Sequence, residues 1–185
     1  QQVSDYIYYY PQVLDKTACD NIINHYNTDT FSGWKTSTFA TTSSNTGTSK
    51  VDMKEYWIGP KDMFYKNIQK GFEKAVNDYV SVNDKIKVQE YTWFRINCYE
   101  TGGFMKEHID NIHHSHGQKQ GYPHLTSLIF LNDDYDGGEF ELCDGLFTAP
   151  KQQGSAVVFP SNFMYPHEVK KVKNGTRYSI MTWLL

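Results

Sequence analysis

His108 and Asp110 stand two residues apart at the end of the stretch Arg95-Ile96-Asn97-Cys98-Tyr99-Glu100-Thr101-Gly102-Gly103-Phe104-Met105-Lys106-Glu107-His108-Ile109-Asp110. In extended backbone, side chains at i and i+2 point to the same face, so a single ion can touch both. An imidazole nitrogen and a carboxylate oxygen are intermediate-to-hard donors, better suited to Fe(II) or Mn(II) than to a thiolate-type zinc site. A third ligand must come from elsewhere in the fold. His167 offers one, at the start of an apolar/polar alternation in Tyr165-Pro166-His167-Glu168-Val169. Ten residues beyond it, Arg177 places a fixed cation inside the strand-like run 176–183. Two His, one Asp and a following Arg give a 2-His-1-carboxylate facial triad together with an anchor for an acidic small molecule. The ordinary alternatives are solvated surface histidines and, for Arg177, a salt bridge at the start of the last strand.

Holding such side chains in place calls for a rigid β framework. Hydrophobic residues make up 39% of the 185-residue chain and aromatic residues 16%, carried by 14 Tyr, 11 Phe and 4 Trp, which leans the class toward β. Strands are expected over 87–99, 108–110, 124–131, 139–142, 155–159, 167–172 and 176–185. Thr101-Gly102-Gly103, Asp136-Gly137-Gly138 and Asn174-Gly175 are the turn signals between them. Short strands with Gly-rich turns indicate a sandwich or jelly roll. Along 91–99, Trp93, Arg95 and Asn97 share the face of Tyr99, whereas Phe94, Ile96 and Cys98 share the other. Arg95 and Asn97 are therefore candidates for substrate contacts, with hydrogen bonding to neighbouring strands as the alternative.

Upstream, 3–13 suits an early strand ending at Pro11. Residues 15–26 read as a short helix capped by Asp15 or Thr17, with Ala18, Ile22, Ile23 and Tyr26 as its apolar stripe. The Thr/Ser/Gly/Asn-rich stretch 31–50 reads as a loop or irregular edge hairpin, free to cover a site. Residues 61–80 form the clearest helix, with Phe64, Ile68, Phe72, Ala75, Val76 and Tyr79 on one face. That face needs a sheet to cover.

Net charge is −3, which gives no general electrostatic case for a nucleic-acid partner. Cys19, Cys98 and Cys143 are odd in number and widely spaced, against a disulfide framework or a Cys-based zinc site. With no apolar run of about 18 residues and no leader-like N-terminus, the expectation is a soluble cytoplasmic protein without a membrane partner.

From about residue 91 onward, His108-x-Asp110, His167 and Arg177 on short strands resemble the Fe(II)/2-oxoglutarate-dependent dioxygenases, specifically the prolyl-4-hydroxylase-like branch. The resemblance implies a mainly β fold with flanking helices around a double-stranded β-helix (jelly-roll) core. One domain would span 1–185, a helical buttress over about 1–86 and the β-helix core over about 87–185. His108, Asp110 and His167 would bind Fe(II), and Arg177 the distal carboxylate of 2-oxoglutarate. Tyr99, nine residues before His108, and Thr126 match family residues that reach the same co-substrate. O2 completes the reactants, and ascorbate is a further candidate. Gly137-Gly138 matches a family Gly-Gly, its role a tight turn. His113, His114 and His116 are assigned to the polar loop 111–121 and not to a second metal. The implied activity is hydroxylation of an unactivated C–H bond, first on a peptidyl proline, with a peptide or protein as substrate. Arg177 stands where procollagen-type enzymes usually carry Lys, and Arg occurs there in lysyl hydroxylases. The alternatives are an oxygenase of a free amino acid or other small metabolite, and a metal-binding barrel without turnover.

Overall fold

The computed structural model describes residues 1–37, 50–110 and 122–185. A 3-10 turn over Val3–Tyr6 leads into β1 (Tyr8–Tyr10), α1 (Lys16–Tyr26), β2 (Lys35–Thr36), β3 (Val51–Asp52), β4 (Lys54–Ile58) and α2 (Tyr65–Val82). The remaining elements are strands: β5 (Phe94–Tyr99), β6 (Phe104–His108), β7 (Leu125–Phe130), β8 (Asp136–Gly137), β9 (Phe140–Leu142) and β10 (Phe147–Thr148). They continue as β11 (Ala156–Pro160), β12 (His167–Val169), β13 (Val172–Asn174) and β14 (Arg177–Leu184).

The strands form two main antiparallel sheets among the described residues. The larger runs β1-β11-β7-β14-β5-β4-β2 and the smaller β10-β9-β12-β6-β3, with β13-β8 as a separate pair. Apolar side chains sort onto two layers because strand residues alternate between faces. Phe94, Ile96, Ile129, Ile180 and Leu184 pack outward against Ile68, Phe72, Ala75 and Tyr79 of α2. Met105, Leu128, Phe130, Phe140, Phe159, Met181 and Trp183 fill the space between the sheets. Strand β14 is buried at every position, since helices cover one face and the smaller sheet the other. This is the jelly-roll arrangement with flanking helices.

The helices follow local chemistry. Asp15 accepts a hydrogen bond from the Ala18 N–H at 2.7 Å and so starts α1. Its most buried residues are Cys19, Ile22 and Tyr26, while Ala18 and Ile23 pack at the margin. Helix α2 begins at Tyr65, later than the expected 61. The Asp62 carboxylate accepts from the Gly59 N–H at 2.8 Å and from the Tyr56 hydroxyl at 3.0 Å, holding a turn there instead. At Gly71 a Cβ would meet Leu14 Cδ2 at 3.0 Å and Ile129 Cδ1 at 3.2 Å, so the missing side chain lets α2 lie close on the sheet.

Several expected boundaries move. Residues 3–6 form a 3-10 turn, with the Gln2 N–H donating to Asp5 Oδ2 at 2.8 Å, and only Tyr8–Tyr10 pair as a strand. Regular pairing in 87–99 begins at Phe94, with one isolated bridge from Tyr91 to Leu184. The segment expected as a helical buttress also supplies strands: β1 pairs with β11, β3 with β6, and β4 with β5. Residues 38–49 and 111–121, which contain most of the proposed covering loop and His113, His114 and His116, lie outside the described residues. No helix among the described residues is long and apolar enough to cross a membrane.

Phe72 is fully buried with its ring centroid 5.2 Å from that of Phe94. Phe72→Ala is expected to cost about 3–5 kcal/mol in chemical denaturation, and Asp15→Ala about 1 kcal/mol through the lost cap.

Candidate metal centre

Strands β6 and β12 are neighbours, and His108 and His167 are directly opposed across them. Opposed residues of an antiparallel pair share a face, and the two imidazole centroids are 4.3 Å apart. Asp110 comes to the same point by a different route than expected. Strand β6 ends at His108, and a bend beyond it brings Asp110 Oδ1 to 3.5 Å from His108 Nε2 and 3.2 Å from His167 Nε2. The three offer one ligand atom each, all within 4.8 Å of one another.

Each of the three is oriented by a second contact. His108 Nδ1 lies 2.9 Å from the Lys106 carbonyl and His167 Nδ1 lies 3.0 Å from the Tyr165 carbonyl. A carbonyl only accepts, so Nδ1 carries hydrogen in both rings and Nε2 is left to face Asp110. Thr126 donates to Asp110 Oδ2 at 2.8 Å, and its oxygen lies 2.8 Å from Ser161 Oγ. Thr126, expected to reach the co-substrate, thus spends its only hydrogen on Asp110. The reason is register: Thr126 is opposed by Trp183 and Phe159, well along the sheet from Arg177.

Burial works against the Asp110 charge, but the His167 charge and hydrogen bonds from both imidazoles hold its carboxyl well below the usual range. For His167, burial pulls down, yet the charge and hydrogen bond of Asp110 leave its pKa raised. Burial and the charge of His167 lower that of His108. The Asp110 carboxyl is therefore held charged between two imidazoles whose pKa values move in opposite directions. The donor set is two imidazole nitrogens and one carboxylate oxygen aimed at one point. That fits a divalent ion of intermediate hardness.

Arg177 opens β14 opposite Tyr99 on β5. It is only 1% exposed. Nη1 donates to Ser179 Oγ at 3.2 Å, whereas Nε and Nη2 have no hydrogen-bond partner among the described residues. The guanidinium carbon lies 5.0 Å from the Tyr99 ring centroid and 5.6 Å from that of Phe130. Burial raises the phenols of Tyr99 and Tyr135, and the Arg177 charge pulls both partly back. Both therefore stay neutral hydroxyl donors beside the cation. A buried charge with two idle donors is costly alone and well prepared for a carboxylate.

Arg95 and Asn97 share this inner face with Tyr99. Arg95 Nε donates to Asn97 Oδ1 at 2.9 Å and lies 3.5 Å from Glu55 Oε2, while Asn97 Nδ2 donates to Ser179 Oγ at 3.4 Å. Ser179, Ser161, Tyr135 and Glu55 were absent from the sequence reading. Alternation from Arg177 could have named Ser179. Glu55 was out of reach because β4 was not recognised as a strand, and Tyr135 lies in a turn without periodicity.

Metal binding must displace the His167 proton, so affinity is expected to fall as pH drops through the raised His167 pKa, which lies above the ordinary 6.5. The His167 contribution to metal-free stability is full below 6.5 and lost as pH rises through its folded value. The Asp110 contribution is present above 3.8 and lost as pH falls through its depressed value. Titrating Mn(II) calorimetrically in buffers of different ionisation enthalpy should show proton release of about one per metal below the raised pKa, fading above it. His167→Ala should abolish that release.

Residues 94–185 match the family model described as the 2OG-Fe(II) oxygenase superfamily. A PKHD-type hydroxylase of Pseudomonas fluorescens is 37% identical over 97 residues, covering 48% of this chain and 41% of that protein. The PKHD-type hydroxylase PiuC of Pseudomonas aeruginosa is 37% identical over 93 residues, 47% of this chain and 40% of that protein. The match thus spans about two fifths of the length of these curated relatives. Among solved structures, a Pseudomonas putida prolyl-4-hydroxylase superposes with a TM-score of 0.70 at 16% identity, covering 97% of this chain and 91% of that one. A Trichoplax adhaerens prolyl hydroxylase, solved with a hypoxia inducible factor peptide fragment, gives 0.74 at 18%, covering 98% and 84%. At such identities the likeness is one of fold. The family match runs from β5 to the C-terminus and contains Tyr99, His108, Asp110, His167 and Arg177, and over these residues the chain matches the 2OG-Fe(II) oxygenase superfamily.

Proposed function

We propose that this chain is an Fe(II)- and 2-oxoglutarate-dependent dioxygenase that hydroxylates an unactivated C–H bond of a peptide or protein, with peptidyl proline as the leading target. The observation that carries the reading is Arg177, a buried cation with two unpartnered donors. It belongs to the same inter-sheet space as the metal cluster. The Phe130 ring beneath the guanidinium lies 6.0 Å from that of Phe140, and the Phe140 ring lies 5.7 Å from that of His167.

In this reading His108, Asp110 and His167 would hold the iron. Arg177 would bind the distal carboxylate of 2-oxoglutarate with its unpartnered donors, and Tyr99 would add a neutral donor beside it. Bound iron, with 2-oxoglutarate and O2, supplies the oxidising power to insert one oxygen atom into a C–H bond, the co-substrate leaving as succinate and CO2. Phe130, Phe140 and Phe159 keep water from the site. Thr126 and the two backbone carbonyls keep the ligand atoms aimed. No side chain has to remove a substrate proton. The Trichoplax structure was solved with a peptide fragment, which favours a peptide here over a free amino acid or small metabolite. A barrel without turnover is disfavoured by the complete set of three ligands and anchor. The three free cysteines, two of them buried, suit a reducing cytoplasmic setting.

Iron-loaded protein should convert 2-oxoglutarate to succinate with a one-oxygen mass gain on proline-containing peptides and none on free amino acids. Oxidation of free amino acids alone would replace the peptide reading, and no iron-dependent turnover with any substrate would remove the enzyme reading. Arg177→Leu should abolish 2-oxoglutarate binding while stabilising the metal-free chain by about 1–3 kcal/mol, because it removes a buried unpaired charge. Wild-type succinate formation by that variant would refute the anchor.

A further inference from the structure

The inner face of the larger sheet carries a second guanidinium that the metal and co-substrate do not use. Arg95 lies opposite Trp57 on β4 and Met181 on β14, with its guanidinium carbon 5.7 Å from the Trp57 ring centroid and 5.9 Å from that of Trp183. Trp183 in turn opposes Thr126, the residue that holds Asp110. Arg95 therefore stands toward the metal-cluster end of the face, separated from Arg177 by the Asn97–Ser179 step.

The two arginines differ in what their surroundings supply. Arg177 makes no ion pair with a described residue, while Arg95 Nε lies 3.5 Å from the buried Glu55 carboxylate. Both polar contacts of Arg95 leave through Nε, to Glu55 and Asn97, so Nη1 and Nη2 are not spent on the described part of the chain. The Arg95 side chain retains 13% exposure against 7% for Glu55. A guanidinium whose charge is already cancelled still donates hydrogen bonds, but it offers little to an anion. A second carboxylate brought beside Glu55 would meet like-charge repulsion in a dry space, whereas an amide carbonyl accepts a hydrogen bond without adding charge.

We propose that Arg95, braced by Glu55 and Asn97, is a substrate-binding residue whose terminal amines hold a neutral backbone carbonyl, and that Glu55 makes the site select a peptide over a free amino acid. The inference rests on the oxygenase reading above and gives its substrate class a structural cause.

The test uses the 185-residue chain loaded with Mn(II) and 2-oxoglutarate, which binds without turnover, and reads the intrinsic fluorescence of its four tryptophans, of which Trp57 and Trp183 flank Arg95. The probes are an Ala-Pro repeat peptide blocked at both ends and free L-proline. Wild-type protein is expected to bind the blocked peptide at least about tenfold more tightly than L-proline. Arg95→Lys keeps a charge opposite Glu55 but loses the planar fork, and should weaken the peptide about tenfold, the scale of a hydrogen bond to a charged group. Glu55→Gln should tighten L-proline in a salt-sensitive way and so narrow the preference for the peptide, because the guanidinium is then uncancelled; an unchanged preference overturns the role given to Glu55. Thermal melts of both variants confirm the fold. Equal peptide affinity in Arg95→Lys, or a wild-type preference for L-proline, overturns the proposal. Calorimetric binding of 2-oxoglutarate to the same samples separates the two layers. If wild type fails to bind it, the oxygenase reading falls and takes this inference along. If 2-oxoglutarate binds normally and peptide affinity ignores Arg95, this inference falls alone.

Discussion

A guanidinium held inside protein without a counter-charge is among the costliest arrangements a small fold can carry. Among the described residues Arg177 is such a group, and much of the surrounding architecture makes sense as its support. It sits at the start of a strand covered on both sides, so the side chain has no route to water. Ser179 satisfies one amine, and the faces of Tyr99 and Phe130 lie near enough for a modest cation–π contribution. The remaining demand, at Nε and Nη2, is unmet by the described chain. In the proposed reading, stability is given up locally so that a carboxylate ligand would arrive at donors already in position.

The metal cluster uses the complementary device. Its three groups satisfy one another, with Asp110 Oδ1 3.2 Å from His167 Nε2 and 3.5 Å from His108 Nε2. Backbone carbonyls behind each imidazole and Thr126 behind the carboxylate hold the directions without depending on a metal. The cluster is thus preorganised at little cost, and Arg177 is held in place at considerable cost. Between them lies a row of polar groups, Glu55, Arg95, Asn97 and Ser179, whose hydrogen bonds run across three neighbouring strands. Opposed residues in successive rungs share a face, so register alone lines these groups up.

What could be read in advance follows from how local each signal is. Alternation along 94–99 separated Phe94, Ile96 and Cys98 from Arg95, Asn97 and Tyr99, because the period of a strand is a property of the backbone. The faces of both helices were legible for the same reason. Residues 54–58, Lys-Glu-Tyr-Trp-Ile, show no clean alternation, and their strand exists because β5 pairs with it. With that strand went Glu55 and the whole counter-charge of Arg95. An extended-chain argument groups Asp110 with His108, although it is a bend beyond the end of β6 that brings the two side chains to 3.5 Å.

The amino-acid sequence by itself determined the chemistry available: two imidazoles and a carboxylate, a late arginine, and short β segments able to bring distant residues together. Residue type and spacing carry that much, since ligand hardness and strand period need no neighbours. Tertiary structure alone decided which donors stay idle. Thr126 turned toward Asp110, Arg95 acquired an acid partner and Arg177 has none among the described residues, because hydrogen-bond satisfaction depends on register between strands far apart in the chain.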